Sequence, residues 1–243
     1  MRLVMLAFVV LAGTVQAQDG GKGVEEGATV AGQVRINAVV PKMKKVPMDP
    51  QCTLLHGEPP KSDETVVDAE NNVKGAFVWI KRGLEGKTYP VPQEKVLLDQ
   101  VGCMYKPRIF GIRVGQTLLI RNSDPTGHNV NVLAFDNKPF NIGQPLKGQE
   151  TEVRFIKPEV MLKVVCNIHG WMSTHAGVVD HPFFAVTDDA GKFSLHGLPP
   201  GKYTIATWHE RWTTMKEKGC EQEFEVKAGE TRTLNFAFDK KKD

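Results

Sequence analysis

Cys166, His169 and Met172 follow one another at three-residue intervals in C-N-I-H-G-W-M, so a thiol, an imidazole and a thioether share one short loop. Two intervening residues let the chain fold back far enough for thiol and imidazole to meet a single ion, since so few residues cannot reach far. A fourth donor must come from elsewhere. The candidate is His128, in the turn of I-R-N-S-D-P-T-G-H-N-V. Two imidazoles, one thiolate and a weak axial thioether make the trigonal His2Cys set that suits copper moving between its two oxidation states. Zinc rarely takes a thioether. The competing reading is a bare structural core, because C-x-x-H is common and a buried Cys and Met after a strand are more often packing than ligands. Four donors, each placed after a strand, favour the copper site.

The other five histidines carry less. His56, His175 and His196 sit in turn-like sequence and are expected at the surface, while His181 in D-H-P-F-F and His209 in W-H-E adjoin aromatic strands and are expected to be structural. Asp188 and Asp189 in D-D-A-G suggest calcium, but a hairpin turn explains them more simply. The sequence has no nucleophile elbow, no phosphate loop and no H-E-x-x-H. A copper ion with all four positions filled offers no open site to a substrate, so an enzyme is not expected.

The donors need rigid elements behind them, and the sequence supplies strands nearly throughout. A-T-V-A-G-Q-V-R-I, T-L-L-I-R-N, N-V-N-V-L-A-F, V-M-L-K-V-V-C, K-Y-T-I-A-T-W and T-L-N-F-A-F are short, β-rich runs, many of them alternating. D-D-A-G, L-P-P-G and K-A-G-E between them hold the glycines and prolines that turns need. This pattern predicts an all-β chain of sandwich type. A helix of a turn or two is expected at 93–99, Q-E-K-V-L-L-D. V-M-L-K-V-V runs directly into Cys166, so the cysteine stands where a strand ends.

Arg2, an apolar run too short to span a bilayer and then V-Q-A read as a signal peptide over residues 1–17, cleaved after Ala17. No cysteine stands directly after that point, so no lipid anchor is expected, and no later stretch is apolar enough to cross a membrane. The mature protein is therefore expected to be periplasmic or secreted. A net charge of +3 is too weak and dispersed for nucleic acid. Four cysteines suit an oxidising compartment. With Cys166 set aside as a ligand, Cys52 and Cys103 lie in loop-like, Pro/Gly-bounded sequence and are expected to pair, which leaves Cys220 as a free thiol.

Residues 92–181 resemble a cupredoxin, a type 1 blue copper protein of the plastocyanin and amicyanin kind. Y-K-P-R-I-F-G-I-R-V-G-Q-T-L-L-I-R-N-S-D is similar to that family's entry strands, H-N at 128 and 129 to its first ligand and neighbour, and C-x-x-H-x-x-M to the short amicyanin-like ligand loop. The resemblance implies a Greek-key β-sandwich holding one type 1 copper through His128, Cys166, His169 and axial Met172. It implies that the Asn129 backbone N–H faces the Cys166 sulfur while its side chain braces the two ligand loops. Many relatives have Pro after the loop histidine; this chain has Gly170, which gives His169 more freedom in the reduced state. Residues 28–88 and 182–240 resemble a carboxypeptidase regulatory-like, prealbumin-like β-sandwich, into which the cupredoxin is inserted or which follows it. The function implied is an exported carrier of single electrons between transient redox partners, exchanging them at the His169 edge beside Gly170 and Trp171. A copper-delivery protein and a non-redox scaffold are the alternatives.

Overall fold

The computed structural model describes residues 26–212 and 220–239; the signal segment expected at 1–17 and the closing lysine run lie outside them. From the amino end the chain passes through β1 (Ala28–Ile36), the short helix α1 (Pro50–Leu54), β2 (Val66–Val67), β3 (Val73–Lys74) and β4 (Phe77–Arg82). A central block follows: β5 (Val96–Gln100), β6 (Tyr105–Lys106), β7 (Ile109–Arg113), β8 (Thr117–Asn122), β9 (His128–Leu133), β10 (Phe140–Gln144), β11 (Glu150–Arg154), β12 (Glu159–Val165) and β13 (Ser173–Val179). The chain then returns through β14 (Phe184–Val186), β15 (Lys192–Leu198), β16 (Gly201–Trp208), β17 (Glu221–Val226), β18 (Thr231–Thr233) and β19 (Phe236–Phe238). The described residues are all-β apart from one short helix.

Strands from the two ends of the chain share sheets. β1 pairs with β15 antiparallel and with β18 and β19 in parallel. β4 lies between β14 and β16, and β16 carries β17. Val30, Val34 and Ile36 of β1 are fully buried and meet Phe193, Leu195, Tyr203, Ile205 and Phe236 in one apolar core. The central block stacks β10-β9-β12-β13-β7 on β11-β8-β5-β6 around a second core that includes Leu98, Leu118, Ile120, Val130, Val132, Leu162 and Val164. This period-two burial of β-branched and leucine side chains is what a two-sheet sandwich needs.

Two glycines let the sandwiches meet. Gly111 of β7 and Gly177 of β13 are register partners, and a Cβ at either would collide with a ring, Phe184 at the first and Phe77 at the second. Those rings stack at 5.9 Å, so the bare backbone of the central sheet is the floor on which the other sandwich's aromatics lie. Arg113 secures the crossings between sandwiches, its guanidinium donating to the Tyr89, Pro90 and Asp180 carbonyls.

Two sequence expectations are corrected here. The helix expected at 93–99 is largely strand: β5 runs parallel to β8 from Val96 opposite Leu118 to Gln100 opposite Asn122, and Leu98 is fully buried. Tertiary pairing outweighs the weak helical preference of Q-E-K. His175 is not a surface residue but lies 7% exposed in β13, its ring 4.9 Å from Trp208. Cys220 packs into the first core at 6% exposure.

Candidate metal centre

Strand parity aims the donors. Leu162 and Val164 of β12 point into the second core, and Cys166 is the next residue of that parity, 3% exposed. His128 opens β9 with the parity of buried Val130 and Val132 and is 1% exposed. A tight loop then brings back His169 and Met172: the Met172 N–H donates to the His169 carbonyl at 2.8 Å, and the Cys166 N–H to the Met172 carbonyl at 3.1 Å. Met172 is fully buried in the same core as Cys166.

A ring nitrogen of each histidine and the Cys166 sulfur lie within 4.8 Å of one another. The two Nδ1 atoms are 2.9 Å apart, and His169 Nδ1 is 3.9 Å from Sγ. Both Nδ1 lone pairs can thus face one small ion. The rear nitrogens are engaged elsewhere, His128 Nε2 with Asp124 Oδ2 at 2.8 Å and His169 Nε2 near Asp49 Oδ2 at 3.5 Å. A rear carboxylate fixes the tautomer that leaves the front nitrogen free to bind metal.

Asn129 joins the two donor segments. Its Oδ1 accepts from the Asn167 N–H at 2.8 Å and lies 3.3 Å from Cys166 Sγ, while its Nδ2 donates to Asn141. Burial pushes the Cys166 thiol up, but hydrogen bonds with His128 and with the Asn129, His169 and Ile168 backbone outweigh it and hold the thiol below its ordinary value. Burial opposes charge on His128 too, yet Asp124 and Cys166 raise it to about 8. His169 is lowered by burial and by the neighbouring His128 charge. The site therefore makes the Cys166 thiolate easier to form than an ordinary thiol's, and the thiolate is the state a soft metal ligand requires.

A strap from the amino-terminal part covers His169. Asp49 caps α1, accepting from the Cys52 N–H, and Pro50 takes the first helical position, where its missing N–H matters least. Cys52 is bonded to Cys103, and both are fully buried. The two sulfurs lie within 4.8 Å of a His169 ring nitrogen, but as a disulfide they are not donors. His169 is consequently only 4% exposed, which corrects the expectation that its edge forms the outer surface. Gly170 is exposed and Trp171 is half-buried, its ring 5.2 Å from His169 and its Nε1 donating to the Cys103 carbonyl.

Sequence reasoning missed Asp124 and Asp49. Asp124 stands four residues before His128, and Asp49 precedes Pro50 as a helix cap; both signals were present but neither says which side chain the carboxylate will face.

No family model and no curated protein matches the sequence. Solved structures do match. A copper-containing nitrite reductase from Thermus scotoductus is 22% identical over 56% of this chain and 27% of its own, with a TM-score of 0.33. This chain thus spans about a quarter of that enzyme. An oxidised amicyanin variant is 19% identical over 42% of this chain and 97% of its own, at TM-score 0.32. A purple cupredoxin from Nitrosopumilus maritimus is 24% identical over 35% and 97%, at TM-score 0.29.

Proposed function

We propose that this protein is an exported one-electron carrier built on a type 1 copper centre, with His128, Cys166 and His169 as trigonal ligands and Met172 as the axial one. The observation that carries the reading is the convergence of one ring nitrogen from each histidine and the Cys166 Sγ within 4.8 Å at the buried end of a β-sandwich. The donor set fits copper: two imidazoles suit both oxidation states, and thiolate and thioether suit the reduced one. Bound there, copper supplies a one-electron couple. The chain's own contribution is rigidity. Strand ends fix His128 and Cys166, backbone hydrogen bonds close the 166–172 loop, and burial keeps water from the donors.

Trp171 and Gly170 give electrons their way out, since Trp171 touches the buried His169 and also reaches solvent. A small, partly apolar patch of this kind suits a transient redox protein partner. The Cys52–Cys103 disulfide agrees with an oxidising, extracytoplasmic location. A copper-delivery protein is the competing reading, since it would use the same donors without fast electron exchange. Reversible redox cycling at constant copper content separates the two.

The test is the visible spectrum of the oxidised, copper-loaded protein. An intense thiolate-to-copper band is expected, and Cys166→Ser is expected to abolish it. A colourless copper-bound wild type, or a serine variant that keeps the band, defeats the assignment.

A further inference from the structure

We propose that the Cys52–Cys103 disulfide is a positioning unit for the metal centre, holding the two carboxylates that back its histidines; this rests on the copper reading above. The two half-cystines act alike. The Cys52 N–H donates to Asp49 Oδ1 at 2.8 Å, and the other oxygen of Asp49 lies 3.5 Å from His169 Nε2. The Cys103 N–H donates to Asp124 Oδ2 at 2.7 Å, and that same oxygen lies 2.8 Å from His128 Nε2. Each half-cystine thus grips, through its own backbone, the carboxylate behind one histidine, and the sulfur–sulfur bond joins the two grips.

Further contacts hold the Cys103 side of this unit. The Gly102 N–H donates to the second Asp124 oxygen at 2.7 Å, His56 Nε2 lies 2.6 Å from the Gly102 carbonyl, and Trp171 donates to the Cys103 carbonyl. Cys103 is held at φ 50°, in the left-handed region that a residue with a side chain avoids. Such a conformation persists where the surroundings over-determine it. Here it turns two consecutive N–H groups onto one buried carboxylate. Asp124 keeps the proton of His128 on Nε2 and the lone pair on Nδ1, and its negative charge favours the more positive oxidation state of a metal at the front.

Asp124→Asn, which removes the charge and keeps the shape, is expected to weaken copper binding roughly 10- to 100-fold in competition with a chelator. It is also expected to raise the reduction potential. Asp49→Asn is expected to act in the same direction but less, because its contact is longer and its carboxylate is 42% exposed. The Cys52→Ser/Cys103→Ser double variant, with folding checked by circular dichroism, is expected to follow Asp124→Asn in both readouts, and Asp124→Glu to recover part of the loss. In copper-free protein at alkaline pH, nitrogen NMR of the His128 ring is expected to show Nε2 protonated in the wild type and mixed tautomers in Asp124→Ala and in the double cysteine variant. Folded variants with wild-type affinity and potential overturn the proposal. If the wild type binds no copper, the copper reading falls by itself. The NMR arm then decides this one, and an unchanged His128 tautomer in both variants overturns it.

Discussion

At the scale of the residue, strand parity sets the direction of the candidate donors. Cys166 extends the inward series Leu162 and Val164, and His128 shares the parity of Val130 and Val132, so the alternation that buries a core also aims the ligands. The carboxylates behind them were not legible, since nothing local says that Asp49 will meet a histidine 120 positions away. In the proposed site Met172 is the donor whose contribution would separate most cleanly from binding: it is fully buried, while three other candidate donors converge without it. Met172→Gln is expected to leave copper bound and to move the potential, as an axial ligand should. Voltammetry checks this, and an unmoved potential removes Met172 from the site. Trp171→Glu is expected to keep the visible band while slowing electron exchange with a surrogate partner in stopped flow. An unchanged rate places the exit elsewhere, with the strap as the next candidate.

Among the elements, the strap shows where sequence pattern fails. The sequence between β1 and β2 has little periodicity, and its one ordered turn, α1, is specified by a cap and a proline rather than by an apolar face. Its position is set by a covalent bond to Cys103 across a sequence separation of 51. The pairing was readable from cysteine context; the consequence, a lid over His169, was not, because exposure depends on what a distant segment does. The helix expected at 93–99 failed for the related reason that β5 gains a parallel partner in β8. Crosslinking a loop of this length stabilises by about 4 kcal/mol in the chain-entropy model. The Cys52→Ser/Cys103→Ser variant is therefore expected to unfold at a lower urea midpoint than the wild type, with a steeper slope because the uncrosslinked denatured chain exposes more surface. A midpoint equal to that of the wild type would mean that contacts of the strap, not the bond, hold it down.

Over the whole molecule, the two cores were foreseeable from alternation and turns, but the seam between them was not. It depends on glycines that admit Phe77 and Phe184, and on buried polar groups that gain meaning only when the sandwiches meet. Arg108 of the central block donates through Nε and Nη2 to both carboxylate oxygens of Glu210 at 2.7 Å and through Nη1 to Asp63. His175 and His209 lie buried near this cluster. Burial first, and then the Arg108 charge, lowers each to about 3, with Lys163 and His209 adding to the effect at His175 and Arg211 at His209. A histidine depressed in the folded state stays neutral while the unfolded chain takes up a proton, so stability is lost as pH falls from the ordinary 6.5 towards about 3. His128 opposes this in the copper-free protein, because its value is raised to about 8 and its contribution is lost only as pH rises. Four depressed histidines, with His169 and His181 lowered chiefly by burial beside His175 and His209, against one raised make acid destabilisation the expected net result. Urea midpoints should therefore fall between neutral and mildly acid pH, before most carboxylates titrate. His175→Gln, which removes one titrating ring at the seam, is expected to flatten that fall even if it lowers stability at neutral pH. An equally steep fall in the variant would assign the acid sensitivity to His209 or to groups outside the seam.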